Sequence, residues 1–389
     1  MHGTFKSLFL IALSLAFVCE LSARTWTNRK GKLIEAEMLG VEGDKVKLLM
    51  KGKTFKVPIK SLSPEDQSFI DSWEPEEEAQ SSGAAEVEAS FAQTWPKLVT
   101  LDLEVVIEEK VQDDGSYIYT SPNYAFYANT KLGKSVVKRF AVLFEATRQY
   151  VQRLPLASMK ASKQGEKYKI YLFDTESDYF KAGGPQGSAG VYIGSKGIIL
   201  VQCESLGLVR RSNSWAVDYG RTNKTLPHEI THQLMDEEYY AKGSMGWFTE
   251  GIAEYVAVTP YRSGKFVVSR QQRNIEQYVT SFSKQDNRGR NIGTDILMPD
   301  LLEYMMLPYE DFVSTPQKNY GVAALLVTYF CHFDGEGDAA NLKNFLRALK
   351  AGKTGEDAIQ ALLAGRSMDA LEADILREWK KRGVTIRFQ

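Results

Sequence analysis

Two of the chain's four histidines, His228 and His232, lie four residues apart in the stretch LPHEITHQL, residues 226–234. On an α-helix this spacing turns a side chain by about 40° and raises it by about 6 Å, so both imidazoles can reach one cation. The carboxylate of Glu229, beside the first histidine, can face a water on that cation. His-Glu-x-x-His is the zinc motif of metallopeptidases, although an exposed helix with two solvated histidines gives the same pattern.

A carboxylate further along the chain completes a candidate ligand set. Catalytic zinc usually has three protein ligands and an open fourth position, and Glu250 follows His232 by 18 residues. Glu250 and Glu254 share one face of a helix predicted over residues 248–258. Two like charges on one face are unfavourable unless something positive lies against them. Zinc on Glu250, with Glu254 holding a ligand histidine, satisfies both carboxylates; a solvated acidic face is the alternative.

The sequence WFTEGIAEY, residues 247–255, resembles the Trp-x-x-Glu-Gly-x-Ala-Glu-Tyr helix of the gluzincin metallopeptidases. The resemblance implies His228, His232 and Glu250 as zinc ligands and Glu229 as the general base that activates a zinc-bound water. It therefore implies a zinc-dependent peptidase.

A broader resemblance covers residues 117–389, which look like an uncharacterised family of secreted bacterial proteins with a peptidase-MA-like core. It rests on YIYTSPNY, KIYLFDTESDY, AGVYIGSKGIIL, the zinc motif and NYGVAALLVTYF. This resemblance implies a fold and a site but no substrate.

Gluzincins also use a downstream Tyr or His to stabilise the oxyanion, and an edge strand that binds the substrate backbone. Tyr320 is the candidate oxyanion donor, with a core tyrosine as the alternative. His332 is a second candidate, although a lone histidine after an apolar helix is more often packed. Residues 198–201 are the candidate edge strand, with an ordinary buried strand as the alternative.

Residues 24–73 show the pattern of a small all-β module. Apolar residues alternate with polar ones in three runs between residues 34 and 59, separated by Glu-Gly-Asp and Lys-Gly-Lys turns. Period two indicates strands with one buried face. Ser63 is the expected cap of a short helix that begins at Pro64. From RTWT to LSPEDQ the segment resembles the endocytic-adaptor homology domain, which implies an SH3-like barrel with an unidentified ligand.

The segments before and after this module differ from it in composition. Residues 1–23 carry a positive start, an 11-residue run that is apolar apart from Ser14, and Leu-Ser-Ala, which predicts a cleaved secretory signal and a secreted, periplasmic or cell-envelope location. An uncleaved anchor and lipid attachment at Cys19 are the alternatives. Residues 74–96 are acidic and rich in small residues, which predicts a flexible linker without enough apolar surface to become ordered.

The remaining residues, 97–389, are expected to form the zinc domain. Strands precede helices in this part of the chain, which predicts an α+β fold. The predicted strands are residues 101–107, 117–127, 169–173 and a hairpin of 191–193 with 198–201; the predicted helices include residues 132–154 and a buried one at 320–330.

Charge and composition narrow the range of partners. Lys and Arg number 48 against 49 Asp and Glu, a balance that argues against nucleic acid. No segment after the signal is long and apolar enough to span a membrane. Cys203 and Cys331 are expected to be buried and unpaired, with one disulfide as the alternative.

The sequence therefore predicts a secreted zinc hydrolase that cleaves peptides or proteins. Two rival hypotheses stay open: a noncatalytic envelope or ligand-binding protein that keeps the peptidase fold, and a zinc hydrolase of a non-peptide amide. An intact base at Glu229 argues against a catalytically dead relative, because such a protein does not need the base.

Overall fold

The computed structural model describes residues 24–50, 53–71, 76–158, 166–212, 214–218, 224–240, 246–281 and 289–389. The predicted signal sequence lies outside them. The chain divides after Ala84 into two compact units. Within the described residues, no helix combines the length and apolar character needed to cross a bilayer.

The first unit is an antiparallel sheet with one helix, as the alternating pattern predicts. Trp26, Val46 and Leu48 on its inner face are almost fully buried. The Asp66 amide donates to the Ser63 hydroxyl, which confirms the predicted helix cap. In chain order, the elements are β1 (Arg24–Thr27), β2 (Leu33–Glu42), β3 (Lys45–Met50), β4 (Lys53–Pro58) and α1 (Pro64–Asp71).

The prediction of a closed barrel is wrong for the described residues of this unit. The strand order is β1-β2-β3-β4, and β1 and β4 are both edges. Beyond β1, a single bridge joins Asn28 to Leu62. The buried carboxylate of Asp66 accepts hydrogen bonds from the Thr27 amide and the Arg24 guanidinium, at 2.6 and 2.8 Å. Strand β1 pairs with β2, and helix α1, not strand β4, provides these additional contacts to it.

The segment predicted as an unordered linker contains helix α2 (Glu76–Phe91). Phe91 is 2% exposed, and the Arg347 guanidinium lies 4.7 Å from its ring centroid. Arg347 also binds the Glu88 carboxylate at 2.9 Å. The prediction of a flexible tether is therefore wrong for this helix, because its stabilising partners lie more than 250 residues away, outside any local pattern.

The second unit is built around a six-stranded mixed sheet with the order β10-β11-β9-β8-β7-β6. The predicted hairpin of residues 191–193 with 198–201 is confirmed as β10 paired with β11. The prediction of a strand over residues 101–107 is wrong. These residues form no strand and lie between two strands, at residues 98–100 and 108–111. The six strands are β6 (Glu108–Val111), β7 (Tyr117–Thr120), β8 (Tyr124–Ala128), β9 (Tyr168–Phe173), β10 (Gly190–Ile193) and β11 (Ile198–Gln202); β5 (Leu98–Thr100) precedes them in the chain and belongs to another sheet.

Three smaller sheets complete the described strands. β12 (Leu208–Arg211) pairs with β13 (Ser214–Val217); β14 (Tyr261–Arg262) pairs with β15 (Lys265–Val267), which also pairs with β5; β16 (Asp295–Met298) pairs with β17 (Thr385–Phe388). The coarse α+β prediction is confirmed.

Helices cover the sheet and fill the rest of the unit. The first of them, α3, has the amphipathic pattern expected over residues 132–154, and α10 is buried on nearly every side, as predicted. The helices are α3 (Lys134–Arg153), α4 (Glu176–Lys181), α5 (Thr225–Leu234), α6 (Gly246–Val258), α7 (Gln271–Thr280), α8 (Leu301–Met305), α9 (Tyr309–Ser314), α10 (Pro316–His332), α11 (Ala340–Lys350), α12 (Gly355–Leu363) and α13 (Met368–Lys380).

The two cysteines of this unit are buried and free, as the sequence predicts. Cys203 follows β11, and Cys331 lies near the end of α10. Burial raises the pKa of the Cys203 thiol to about 12. Both side chains therefore behave as small apolar groups in the folded protein.

The close contact of α6 with α10 depends on a glycine. A Cβ at Gly251 would lie 2.6 Å from the carbonyl oxygen of Ala323 and 2.7 Å from a methyl of Val327. Real Cβ atoms do not approach so closely, so any larger residue would push the helices apart. Because α6 also carries Glu250 and Glu254, this contact sets the position of both carboxylates.

We expect Gly251→Ala to destabilise the protein by about 1–3 kcal/mol, because an extra methyl in a packed core forces the backbone to shift. Urea unfolding measures this loss. Gly83→Ala is the matched control: Gly83 is also helical, and a Cβ there would meet nothing within 4 Å. Equal stability of Gly251→Ala and wild type would contradict the packing described above.

Candidate metal centre

Helices α5 and α6 bring the predicted ligands together. Leu226, Ile230 and Leu234 hold the inner face of α5 in the core, and the two histidines of the motif lie on another face. Thr225 is the first residue of this helix, and Lys224 occupies the cap position without a side-chain hydrogen bond to the helix. His228, His232 and Glu250 offer ligand atoms to one point.

The three ligand atoms form a small triangle. Nε2 of His228 lies 3.0 Å from Nε2 of His232, and Oε2 of Glu250 lies 3.1 and 3.2 Å from these nitrogens. In tetrahedral zinc sites with bonds of about 2.0–2.1 Å, ligand atoms stand roughly 3.3–3.4 Å apart. The triangle is slightly tighter than that and has the dimensions of a site for one small divalent cation.

Hydrogen bonds at the opposite ring nitrogens assign the tautomers of both histidines. Nδ1 of His228 donates to Oε1 of Glu254 at 3.0 Å. The Tyr240 hydroxyl donates to the carbonyl oxygen of His232 and accepts from Nδ1 of that ring at 3.1 Å. In neutral rings, both Nε2 atoms then carry lone pairs. Two lone pairs and a carboxylate oxygen at this separation repel one another unless a positive charge lies among them.

The close approach of these groups shifts their pKa values. Burial lowers the pKa of His228, but the hydrogen bonds that its ring donates to the carboxylates of Glu250 and Glu254 raise it overall to about 10. Burial opposes ionisation of Glu250 as well, yet the two histidines hold its pKa well below the ordinary value. A proton on His228 thus supplies the positive charge when no cation is bound, and a cation would displace it.

Glu254 is held in place by a residue that the sequence pattern did not indicate. The Arg290 guanidinium donates to both carboxylate oxygens of Glu254, at 2.7 and 3.2 Å. Burial opposes ionisation, but the charges of Arg290 and His228 hold the pKa of Glu254 at about 2. A charged carboxylate in this position orients the ring of His228, and such partners generally strengthen metal binding where a histidine is a ligand.

The predicted general base lies beside the ligands. Oε2 of Glu229 accepts a hydrogen bond from the backbone amide of Tyr192 at 2.8 Å. Burial raises the pKa of Glu229, while the two neighbouring histidines oppose the rise. One carboxylate oxygen is therefore fixed by strand β10, and the other is left to exchange a proton.

Tyr320 also lies next to the ligands, with its ring stacked on His228 at a centroid distance of 6.0 Å. Its hydroxyl is hydrogen-bonded to that of Tyr309. The Tyr309 hydroxyl in turn donates to Oε1 of Glu250 at 3.0 Å. A chain of two tyrosines thus ends on the carboxylate ligand, and the role of Tyr320 as oxyanion donor stays a prediction.

The ligand triangle borders a cleft of about 1360 Å³. Strand β10 forms one wall, and it is an edge strand of the sheet. The prediction that residues 198–201 form this edge is wrong, because they lie in β11, which pairs with β10 on one side and β9 on the other. Alternation marks both strands of a hairpin equally and does not say which is outermost. Tyrosines supply much of the remaining lining: Tyr192, Tyr240, Tyr278, Tyr309 and Tyr320.

His332, the second oxyanion candidate, does not line this cleft. The Trp95 indole donates to the Tyr255 hydroxyl, and that hydroxyl is hydrogen-bonded to Nε2 of His332, both at 2.8 Å. Burial lowers the pKa of His332 to about 4. The ring is therefore packed and neutral.

Three groups of the site were not predicted from the sequence: Arg290, Tyr309 and Tyr240. Each lies in a loop or on a short helix, and none stands at a spacing from the zinc motif that would mark it as part of the site. Only the compensation argument for Glu254, a carboxylate that needs a positive partner, pointed towards a residue such as Arg290.

Comparison with known proteins informs the first unit alone. The family model of SLA1 homology domain 1, SHD1, matches residues 20–78. This match confirms the resemblance of that segment to the adaptor domain. No curated protein matches the chain. The metal centre lies outside the matched residues, so its interpretation depends on the geometry above.

We expect Glu254→Gln to weaken zinc binding about 10–100-fold, because the ligand ring loses its charged partner. Competition with a chromophoric chelator measures the affinity. Glu303→Gln, an exposed change on α8, is the control and should bind zinc as wild type does. An unchanged affinity in Glu254→Gln would remove this residue from the site.

We expect the buried His332 to make stability depend on pH. Its folded pKa of about 4 lies below the unfolded value of about 6.5. Above pH 6.5 the imidazole is neutral in both states, and the folded protein has its full stability. As pH falls from 6.5 towards 4, the unfolded state binds a proton that the folded state does not, so the free energy of unfolding decreases. Between pH 7.5 and 5 the unfolding free energy of chelator-treated wild type should fall by about 2 kcal/mol more than that of His332→Gln. Parallel curves for the two proteins would contradict this.

Proposed function

We propose that the second unit is a zinc-dependent hydrolase of peptide bonds, with His228, His232 and Glu250 as the zinc ligands. The observation that carries the proposal is the triangle of three acceptor atoms at 3.0–3.2 Å, which requires a positive charge. Nitrogen and carboxylate donors in this number suit zinc and leave a coordination position free. A bound zinc ion would polarise a carbonyl group and lower the pKa of a water.

Each neighbouring residue has a role in this proposal. Glu229 takes a proton as water attacks the carbonyl and passes it to the leaving amine. The Tyr192 amide fixes one oxygen of that carboxylate and leaves the other to carry the proton. The Tyr320 hydroxyl is assigned to the developing oxyanion, which it would reach after exchanging its bond to Tyr309.

The edge strand β10 is assigned to the substrate backbone. Among the described strands it pairs with β11 alone, and it lines the cleft beside the ligands. An extended peptide can add to such an edge through main-chain hydrogen bonds, which bind peptides with little regard to sequence. This feature favours a peptide over other amides, since small amides lack a backbone to pair.

The noncatalytic alternative makes a different prediction. A binding protein that kept the fold would bind zinc without turnover. Glu229 favours the hydrolase, because a carboxylate held beside the ligands is the base that water attack requires, and a binding protein does not need it.

Export of the protein, and an unidentified ligand for the SHD1 unit, complete the proposal. Residues 1–23 support export through their composition. An exported enzyme with a separate small unit would act on substrates in the cell envelope or outside the cell.

We expect Glu229→Gln to keep about one zinc per chain and to lose hydrolysis about 100- to 10,000-fold, because the amide cannot take the proton. Metal analysis and cleavage of a broad peptide library by the parent and the variant measure both properties. Glu276→Gln on α7, outside the cleft lining, is the control. Cleavage at the parental rate by Glu229→Gln would refute the mechanism, and zinc without any cleavage by the parent would favour the noncatalytic alternative.

A further inference from the structure

The two carboxylate oxygens of Glu250 have different partners. Oε2 lies 3.1 and 3.2 Å from the Nε2 atoms of His228 and His232. Oε1 accepts a hydrogen bond from the Tyr309 hydroxyl at 3.0 Å, and Tyr309 is the only donor to this oxygen among the described residues. Glu250 is 3% exposed. Water is therefore a poor substitute for the phenol at Oε1.

A second tyrosine lies behind the first. The hydroxyl of Tyr320 is hydrogen-bonded to that of Tyr309. A charged carboxylate can only accept, so Tyr309 donates its one proton to Glu250, and Tyr320 must donate to the oxygen of Tyr309. A hydrogen bond from a hydroxyl to a charged carboxylate is stronger than one between neutral groups. The contact between Tyr309 and Glu250 is therefore the stronger of the two.

Helix α9 holds Tyr309 against Glu250 through a contact one turn away. Phe312, three residues after Tyr309, is fully buried, and a Cβ on Gly246 would lie 2.9 Å from its ring. Gly246 precedes Glu250 by four residues on α6, so one face of each helix meets the other. The side-chain amide of Asn319 also donates to the Phe312 carbonyl oxygen at 2.7 Å. Packing around Phe312 thus sets the position of Tyr309, although Tyr309 itself is 53% exposed.

The hydrogen bond at Oε1 bears on how Glu250 can bind a metal ion. Carboxylates bind metal ions through one oxygen or through both. Binding through both would require the ion to displace the Tyr309 hydroxyl from a charged, desolvated oxygen. With one oxygen from Glu250, an ion has three protein ligand atoms and keeps a position for water or substrate; with two, it has four. The phenol therefore favours the open arrangement.

We propose that Tyr309 is a positioning residue that restricts Glu250 to one metal-ligand oxygen and so keeps a coordination position open. The inference rests on the metal site of the proposed function and not on its substrate. It gives Tyr309 a role different from that of Tyr320, although the two hydroxyls are neighbours. Loss of the Tyr309 hydroxyl should let Oε1 bind the metal, and loss of the Tyr320 hydroxyl should not.

The coordination number of the bound metal tests the proposal without any substrate. The visible absorption bands of Co²⁺ are strong in four-coordinate sites and weaken when a fifth ligand binds. Tyr309→Phe keeps the ring and removes the hydroxyl, so the band intensity per bound cobalt should fall about twofold or more. X-ray absorption of the zinc-loaded proteins is the second measure. It should show about four neighbouring atoms in wild type and about five in Tyr309→Phe.

Two further variants locate the effect. Tyr320→Phe is the matched control, because it removes the adjacent hydroxyl and leaves the hydrogen bond between Tyr309 and Glu250 in place. It should keep the wild-type cobalt spectrum. Tyr127→Phe, on strand β8 and outside the cleft lining, controls for the loss of a phenol elsewhere. Metal content is measured in each protein, so that a loss of metal is not mistaken for a change in coordination.

The outcomes separate this inference from the proposed function. An unchanged spectrum and zinc coordination number in Tyr309→Phe would overturn the inference, and so would an equal change in Tyr320→Phe or five-coordinate zinc in wild type. A wild-type protein that binds neither metal would overturn both proposals. The expected change in a protein that cleaves no peptide would refute the hydrolase and leave the role of Tyr309 intact; peptide cleavage without the change would do the reverse.

Discussion

Three hydrogen-bond acceptors that face one another at 3.0–3.2 Å form the constraint on which the site depends. Such an arrangement is stable only around positive charge, whether a proton or a cation supplies it. Rotation of the imidazole rings would relieve the repulsion between these atoms, but hydrogen bonds to surrounding groups prevent it. Glu254 holds the imidazole of His228 and Tyr240 that of His232. Tyr309 holds the oxygen of Glu250 that does not face the histidines. The chain therefore keeps a repulsive geometry in place by several independent hydrogen bonds.

The packing of the helices explains how this geometry is maintained. Glu250 and Glu254 lie on α6, and the residue between them that touches α10 is Gly251, whose missing side chain lets the two helices meet. Helix α10 begins near Tyr320, so the same contact also positions the tyrosine that stacks on His228. The decisive distance here is the one between the two helix backbones, because it fixes where Glu250 and Glu254 lie in the cleft.

Local sequence patterns predicted the parts of the site that lie on regular helices. The i, i+4 spacing of the histidines and the helical face of Glu250 and Glu254 were sufficient, because a helix fixes the directions of its side chains. The same patterns failed where tertiary contacts decide. Helix α2 becomes ordered through Arg347, and β11 is an inner strand because it pairs with β9. Arg290 and Tyr309 reach the site from loops and short helices, where no periodicity marks them.

The two buried thiols offer a way to follow the opening of the second unit. Cys203 adjoins the sheet and Cys331 adjoins the helical part, and both are unpaired. A thiol with a pKa of about 12 hardly reacts while it stays buried. The rate at which a reagent such as an alkylating maleimide modifies each position would therefore report how often that region unfolds. The molecule thus contains two natural probes that distinguish fluctuations of the sheet from those of the helices.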